Sequence, residues 1–415
     1  MKGTKPYDIS KLQVMQAYRL VKANAGSAGV DNQSLEDFEK DLKNNLYKIW
    51  NRMSSGSYFP PEVKGVSIPK KSGGERLLGV PTVADRVAQM VVKLEIEPVL
   101  EPHFLSDSYG YRPGKSALDA VGITRSRCWQ HDWVVEFDIK GLFDNIDHQL
   151  LMRAVRKHIR CKWAVLHIQR WLVAPMRLPD GSVTARSQGV PQGGVVSPLL
   201  SNLFLHYVFD AWMQRHHPQI PWCRYADDGL LHCATEDQAR QLFAELGQRF
   251  EECGLEIHPE KSKIVYCKDS NRRGDHSTTA FDFLGYTFRG RSAKNRAGKL
   301  FVSFSPAVSK AALKSMRSII RRSNLRNRAD RSLEEIASSF NPALQGWINY
   351  YGRFHPSALY PFFRYFNHVL VAWAMRKYKR FRRRKTRAGQ YLEGIAERNP
   401  TLFAHWRYGM TGVFA

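Results

Sequence analysis

The sequence is short of cysteine and of long apolar runs, and each shortage excludes a class of protein. Six cysteines are scattered over 415 residues without a Cys-x-x-Cys pair, so neither a zinc knuckle nor a disulfide framework is expected. No run approaches the roughly 18 apolar residues that a membrane-spanning helix needs. The first 30 residues lack the apolar core of a secretion signal. We therefore expect a soluble protein of a reducing cytoplasm with no membrane partner.

Acidic residues are also scarce. The chain has 38 Asp and Glu against 63 Lys and Arg, a net charge of +25, while its 43% of apolar residues is ordinary for a folded protein. Residues 311–415 alone hold twenty of the cations and five of the acids. Such an excess is typical of proteins that bind polyphosphate. We expect nucleic acid as the partner, bound mainly by the C-terminal region.

Changes of pattern along the chain predict three regions, within the two to three domains that 415 residues allow. Residues 1–60 are polar and favour helices, and a helical pattern returns from about residue 305. Between them, helical patterns alternate with short β-rich runs. These runs are Val66–Ile68, Val134–Ile139 and Phe283–Phe288. Residues 289–299, rich in Arg, Lys, Ser and Gly, are predicted to be a linker.

The C-terminal region begins with an amphipathic helical pattern. Four cations at helical spacing form one stripe: Lys310, Lys314, Arg317 and Arg321. Five apolar residues form the opposite face: Ala312, Leu313, Met316, Ile319 and Ile320. One face would pack, and the other would be free for phosphate. Further on, Ser332 and Glu335 predict a capping box at the start of a second helix. Pro342 is expected to interrupt this second helix.

The sharpest local motif, Tyr225-Ala226-Asp227-Asp228, predicts a hairpin whose turn presents two acids. Adjacent carboxylates repel by about 4 kcal/mol at 4 Å when the effective dielectric constant is 20, which favours a divalent metal between them. A solvated Asp-Asp-Gly turn is the alternative. Asp138, at the end of an apolar run, supplies a third acid from a strand end. Three such aspartates can hold two Mg²⁺ ions, which is the chemistry of a polymerase.

Three blocks resemble, in order and spacing, the reverse transcriptases encoded by bacterial group II introns: Phe137–Asp144, Gly189–Leu200 and Tyr225–Asp228. Further blocks resemble motifs of the same family along nearly the whole chain. They are Gly29–Asp31, Ile68–Lys71, Arg76–Pro81, Ser108–Gly114, Gly254–Lys261, Phe283–Tyr286 and Trp347–Tyr351. The resemblance implies an α+β right-hand polymerase, with fingers and palm built on an antiparallel sheet, followed by an α-helical thumb or maturase domain.

The resemblance also implies a division of the chain into domains. Residues 1–60 would extend the fingers, 61–290 would form the fingers and palm, 291–390 the thumb or maturase domain, and 391–415 a C-terminal tail. Many relatives continue into a DNA-binding and endonuclease region, often with paired cysteines. That region is not expected here, and neither is a ribonuclease H domain.

Several residues take roles by this resemblance. Asp138, Asp227 and Asp228 would bind two Mg²⁺ ions, helped by the main-chain carbonyl of Ile139. The nucleotide-binding residues would be Lys70 and Arg76 on the triphosphate, Gln192 on the incoming nucleotide, and Phe143 under the sugar, where it excludes a 2′-hydroxyl. The alternatives are a solvated basic hairpin around Lys70 and Arg76, glycines near Gln192 that only form a turn, and a core position for Phe143.

Two basic segments are expected to bind RNA. The first is the stripe of four cations described above. The second is rich in Arg and Lys with aromatic residues between them, which suits phosphate neutralisation and base stacking. Its expected RNA-binding residues are Arg376, Lys377, Arg380, Arg382, Arg383 and Arg384. A solvated run of charge is the alternative.

The expected function is RNA-directed DNA synthesis from deoxynucleoside triphosphates, joined to binding of an intron RNA whose splicing and mobility the protein assists. Its other substrates would be an RNA template with a DNA primer or target DNA. The resemblance to this family implies that the protein is located in the bacterial cytoplasm and associates with the nucleoid. A domesticated reverse transcriptase in defence or repair, and a maturase that acts only in splicing, are the alternatives. The oligomeric state stays open.

Overall fold

The computed structural model describes residues 5–69, 74–295 and 297–411. They fall into two compact units, the first made of residues 1–120 and 135–264 and the second of residues 121–134 and 265–415. The α+β class with a helical C-terminal region is as predicted. Within the described ranges, no helix is both long and apolar enough to cross a membrane.

The described residues form fifteen α-helices, numbered in chain order. Helices α1 to α8 are Lys11–Asn24, Leu35–Lys40, Leu42–Ser54, Val83–Leu100, Ala117–Gln130, Leu142–Asn145, His148–His158 and Lys162–Leu172. Helices α9 to α15 are Ser197–Leu205, Ala211–His216, Glu236–Glu251, Lys310–Arg322, Leu333–Tyr351, Tyr360–Lys377 and Lys385–Arg398. Between α9 and α10, residues His206–Asp210 form a π-helical turn.

The same residues form eleven strands. Strands β1 to β6 are Val63–Pro69, Glu75–Val80, Trp133–Asp138, Met176–Arg177, Val183–Thr184 and Trp222–Tyr225. Strands β7 to β11 are Asp228–Cys233, Lys263–Tyr266, Ala280–Phe283, Tyr286–Lys294 and Leu300–Val308. They make three sheets, of order β2-β1-β4-β5, β6-β7-β3-β8 and β11-β10-β9.

Helix α4 is the central helix of the first unit and packs against α1, α3 and α8. Its apolar residues are buried on more than one face, so it lies inside the unit rather than on its surface. Thr82 caps its start, because the side-chain hydroxyl accepts a hydrogen bond from the Asp85 N–H at 3.1 Å. Two of the buried polar side chains of α4, Asp85 and Gln89, reach the candidate site described below.

The second unit has a core of aromatic and aliphatic side chains from helices α12 to α15. Its first helix shows the predicted two faces, since Met316 and Ile320 are buried while Lys310 and Lys314 are exposed. Ile319 is an exception, with 40% of its surface exposed, so the apolar face is narrower than predicted. The capping box of Ser332 and Glu335 is confirmed at the start of α13.

Pro342 does not interrupt α13, contrary to prediction, and the helix continues to Tyr351. An internal proline costs a helix roughly 3 kcal/mol. Ile336 before it and Leu344 and Ile348 after it are all buried in one core. Packing on both sides of the proline therefore outweighs its local cost.

The predicted linker at residues 289–299 is also wrong, since residues 289–294 belong to strand β10 of a β-hairpin. Strand β10 runs to Lys294, and β11 runs from Leu300 to Val308 before α12 begins at Lys310. The predicted run Phe283–Phe288 is in fact two strands, β9 and β10. Leu284 and Gly285, with φ of +50° and +79°, form the turn between them.

Candidate active site

Asp227 and Asp228 lie at the tip of a two-residue hairpin, as predicted. Strands β6 and β7 pair antiparallel with Tyr225 opposite Asp228, so Ala226 and Asp227 form the turn. Ala226 adopts the left-handed region at φ +57°, which costs a residue with a β-carbon about 1–2 kcal/mol. The surrounding structure must therefore hold this turn in place.

Asp138 ends strand β3, which lies beside β7 in the same sheet. Its main chain is fixed by two hydrogen bonds. Its N–H donates to Ser262 Oγ at 3.1 Å, and its carbonyl accepts from the His258 N–H at 2.8 Å. Its buried carboxylate forms an ion pair with the ammonium group of Lys261. The next residue, Ile139, is buried and bridges to Ile257.

The three acids interact electrostatically. Burial, with the charges of Asp227 and Asp138, raises the pKa of Asp228 to about 7. Burial and the charge of Asp138 also raise the pKa of Asp227, while Arg76 and Lys261 oppose this shift. A site that raises the pKa of carboxylates in this way favours a bound cation.

The acids fit a divalent metal by their chemistry. Carboxylate oxygens are the ligands that Mg²⁺ prefers, and a cation would relieve the repulsion that raises their pKa values. Among the described residues, no three His, Cys, Asp or Glu side chains converge into a finished set of metal ligands. Here the Asp138 carboxylate contacts Lys261 instead.

A buried arginine holds the back of the catalytic turn. The Arg224 side chain is completely buried and donates to both carboxylate oxygens of Asp210, at 2.8 and 2.7 Å. A further N–H donates to the main-chain carbonyl of Ala226 at 3.1 Å. Arg224 also donates to Asn202 Oδ1 at 3.1 Å and to Ser108 Oγ at 2.8 Å. The Arg224 guanidinium therefore links Ala226, the strained residue of the turn, to Asp210 at the end of the π-helical turn and to the loop of Ser108.

The loop that follows Asp107 completes this support. The Arg224 N–H donates to the Asp107 carbonyl at 3.0 Å, and the Tyr109 N–H donates to the Arg224 carbonyl at 2.8 Å. A β-carbon on Gly110 would lie 2.4 Å from the Ala226 nitrogen, so only glycine allows this approach. Sequence reasoning missed this network. Its one signal was a charged residue inside an apolar strand, which needs a buried partner.

Arg76, the predicted triphosphate ligand, faces the acids. It lies exposed on strand β2, and its charge acts against the raised pKa values of both Asp227 and Tyr111. Lys70, predicted beside it, lies outside the described residues.

The loop of Gln192 is tied to strand β2. The Gly79 N–H donates to the Gln192 carbonyl at 2.7 Å. Gly193 has a φ of +117°, and a β-carbon there would lie 2.4 Å from the Gly79 oxygen. Gly79 and Gly193 therefore allow the Gln192 loop to approach the backbone of β2 closely, in addition to forming the turn.

Phe143 belongs to the short helix α6, which follows Asp138 closely, and its ring is half-buried. Its carbonyl accepts from the Val190 N–H at 2.6 Å, and the Gly189 N–H donates to the Ile146 carbonyl at 2.8 Å. These bonds join the Phe143 helix to the Gln192 loop. Its role as a steric gate stays a prediction.

A second buried network supports the Gln192 loop from α4. Gln89 Oε1 accepts from the Val195 N–H at 2.7 Å, and its amide donates to Asp85 at 3.0 Å. Asp85 accepts two further bonds, from the Tyr58 hydroxyl at 2.8 Å and from Trp171 Nε1 at 2.7 Å. Burial raises the pKa of Asp85. Sequence reasoning missed this network too.

The second basic segment divides into exposed and structural residues. Arg382, Arg383 and Arg384 are exposed, as RNA binding requires. Lys377 instead donates to two main-chain carbonyls, those of Ala329 at 3.0 Å and Arg331 at 2.8 Å.

Two other members of that segment are also engaged within the unit. Arg376 donates to the Arg326 carbonyl at 3.4 Å, and the Arg380 guanidinium lies over the Phe381 ring at 4.6 Å. Phe381 is buried in the core, so its ring is not exposed for base stacking. In the first segment, Lys310, Lys314 and Arg321 are exposed and Arg317 is half-buried.

Two known families match the chain. Residues 68–288 match "Reverse transcriptase (RNA-dependent DNA polymerase)", and residues 313–391 match "Group II intron, maturase-specific domain". Among curated proteins, the chain is 30% identical to Protein YkfC of Escherichia coli (strain K12) over 316 residues, 65% of this chain and 78% of that protein. It is 33% identical to the group II intron-encoded protein LtrA of Lactococcus lactis subsp. cremoris over 193 residues, 46% of this chain and 32% of LtrA.

Proposed function

Because this chain belongs to the family of group II intron reverse transcriptases and maturases, we propose that it synthesises DNA on an RNA template at the Asp227–Asp228 turn. We further propose that it binds its intron RNA and assists splicing and mobility. The observation that carries the first proposal is the electrostatic coupling of three acids, the half-buried Asp227 and Asp228 at a hairpin tip and the buried Asp138 at an adjoining strand end.

In this mechanism the chain supplies the ligands and the nucleotide pocket. Asp138, Asp227 and Asp228, with the carbonyl of Ile139, would hold two Mg²⁺ ions. When bound, Mg²⁺ neutralises the phosphates and lowers the pKa of the attacking 3′-hydroxyl. Lys261, which pairs with Asp138 in this structure, would have to release that carboxylate for it to hold the ions.

The pocket residues orient the incoming nucleotide. Arg76, with Lys70, would bind the triphosphate, since a guanidinium matches phosphate oxygens with paired N–H groups. Gln192 would contact the nucleotide from a loop held to β2 and to α6. Phe143 would lie under the sugar and leave no room for a 2′-hydroxyl.

The RNA-binding proposal rests on cations of the second unit, all of them exposed except the half-buried Arg317. Lys310, Lys314, Arg317 and Arg321 follow one face of α12, and Arg382–Arg384 precede α15. We propose that these residues bind phosphates of the intron RNA, with an RNA template and a DNA primer or target DNA as the further partners. The proposed place of action is the bacterial cytoplasm, at the nucleoid.

A primer extension assay tests the polymerase proposal. The purified chain should extend a DNA primer on an RNA template with deoxynucleoside triphosphates and Mg²⁺, and Asp228→Asn should not. Asp269→Asn, an aspartate of the second unit, is the matched control and should extend as wild type. A wild-type protein that binds RNA without extending the primer would instead support a maturase that acts only in splicing.

A further inference from the structure

The hairpin of β10 and β11 lies between the two segments that match known families, which end at residue 288 and begin at residue 313. Each strand has nine residues, paired from Tyr286 opposite Val308 to Lys294 opposite Leu300. Residues 283–308 include five Lys and Arg and no Asp or Glu. The hairpin is therefore a cationic element that neither family match covers in full.

The two faces of the hairpin differ at its base. Tyr286, Phe288 and Phe304 share one face and are buried, with Phe281 stacked on Phe288 at 4.6 Å. The other face is polar. It carries Arg289, Arg291, Ser303 and Ser305.

Arg291 is fixed on the polar face. Its Nε donates to the Ser305 carbonyl at 3.1 Å, and its Nη2 donates to the Thr287 carbonyl at 3.0 Å. Arg289, two residues before it on the same face, is exposed. One cation is thus held in place beside another that is free to reach a ligand.

The tip of the hairpin combines cations with exposed apolar side chains. Lys294 and Lys299 are exposed, and Leu300, Phe301 and Val302 expose 72%, 41% and 39% of their surface. Phe301 lies opposite Ala293, on the same face as Arg289. Because successive strand residues point to opposite faces, Leu300 and Val302 share the other face with Lys294, and Phe301 is the exposed apolar side chain on the face of Arg289.

The tip is held by hydrogen bonds. The Asn295 N–H donates to the Lys299 carbonyl at 3.0 Å, and the Lys299 N–H donates to Asn295 Oδ1 at 2.8 Å. At the edge of β11, Val302 and Ser270 exchange two bonds of 3.1 and 2.7 Å. These bonds join Asn295 to Lys299 across the turn and anchor strand β11 to Ser270.

We propose that RNA binds over the tip of this hairpin, with Arg289 on a phosphate and Phe301 stacked on a base at one face, and with Lys294 on the other face and Lys299 in the turn on further phosphates. Cations with an exposed aromatic ring and no acid suit a nucleic-acid strand better than an acidic protein, which would not need the ring. The choice of RNA rests on the proposed function. In the same unit, β11 ends at Val308 and the basic helix α12 begins at Lys310.

Equilibrium binding to a fluorescein-labelled RNA stem-loop tests this proposal with the full chain. We expect Arg289→Ser/Lys294→Ser/Lys299→Ser to bind more weakly and to flatten the slope of log K against log salt, by about 0.7 to 0.9 for each phosphate that is no longer neutralised. The matched control is Lys43→Ser/Lys48→Ser/Lys162→Ser, which removes equal charge from exposed sites of the first unit. It should keep the wild-type slope.

Phe301→Ala tests the stacking contact. We expect it to weaken binding about fivefold or more without changing the salt slope, while melting curves match wild type. Salt curves of the triple variant that superimpose on wild type, or an equal loss of affinity in the control, would overturn the proposal. So would a loss of affinity confined to a DNA stem-loop of the same sequence. A failure of the proposed function would appear separately, as a wild-type chain that binds RNA but extends no primer.

Discussion

The interiors of the two units of this protein differ, because among the described residues the first unit buries charged side chains and the second buries only neutral ones. The first unit buries charged groups in satisfied networks, such as Arg224 with Asp210 and Asp85 with its three donors. The second unit leaves most of its Lys and Arg exposed, while its core is aromatic. Buried pairs fix the geometry of a reaction, whereas exposed cations bind a polyphosphate with an affinity that depends on salt.

The largest expected effect comes from breaking the buried pair. Arg224→Met or Asp210→Leu leaves one charge unpaired, so each should lower the free energy of unfolding by about 3–5 kcal/mol. The double variant removes both charges and should regain most of that stability. It still lacks the N–H that reaches the Ala226 carbonyl, so its kcat for primer extension should stay low with little change in KM.

Urea unfolding and steady-state extension measure the two effects separately. A double variant that regains both its stability and its kcat would show that Arg224 only packs the core. A double variant that is stable but slow supports a positioning role.

This pair also shows what sequence reasoning can and cannot find. The hairpin of Asp227 and the strand end at Asp138 were predictable, because each follows from local pattern and turn chemistry. The partner of Arg224 was not, because Asp210 lies on a π-helical turn whose position only tertiary packing sets. Composition gave the wrong prediction at residues 289–299. Both faces of the β10–β11 hairpin are exposed near its tip, so polar and apolar residues do not alternate there as they do in a half-buried strand.

The core of the second unit should be sensitive to acid. His405 is completely buried among Phe363, Phe366 and Phe403 and donates to Asn367 at 2.7 Å. Burial lowers the pKa of His405 from 6.5 to about 3. Below pH 6.5 the unfolded chain therefore takes up a proton that the folded chain refuses, so stability falls with pH until about pH 3.

We expect His405 to lower the free energy of unfolding at pH 5 by about 2 kcal/mol. The measurement is urea unfolding at pH 7.5 and pH 5 for wild type and His405→Gln. The pH dependence of the variant should be smaller by that amount. Equal pH dependence in both proteins would show that His405 is not the group responsible.

Phe143 offers a smaller but selective effect. Shrinking the ring opens space for a 2′-oxygen, so Phe143→Val should lower the ratio of kcat/KM for deoxynucleotides over ribonucleotides by roughly tenfold or more. Leu142→Val, at the buried neighbouring position, is the matched control. It should lower the melting temperature without changing this ratio. An unchanged ratio in Phe143→Val would assign its ring to the core.

The smallest effect concerns the exposed charge of the second unit. Arg382→Ser/Arg383→Ser/Arg384→Ser should flatten the salt slope of RNA binding by about 0.7 to 0.9 per phosphate released from these side chains. It should leave stability unchanged, because all three side chains are exposed. Binding curves from low to high salt that match wild type would mark them as a solvated run of charge.

One paired measurement tests most directly whether the acids of the first unit carry the chemistry while the cations of the second carry the binding. Asp227→Asn keeps the size of the side chain and removes its charge. We expect this variant to lose primer extension on an RNA template and to bind the RNA stem-loop as wild type does. Extension above background by Asp227→Asn, in a preparation whose melting curve matches wild type, would contradict the account.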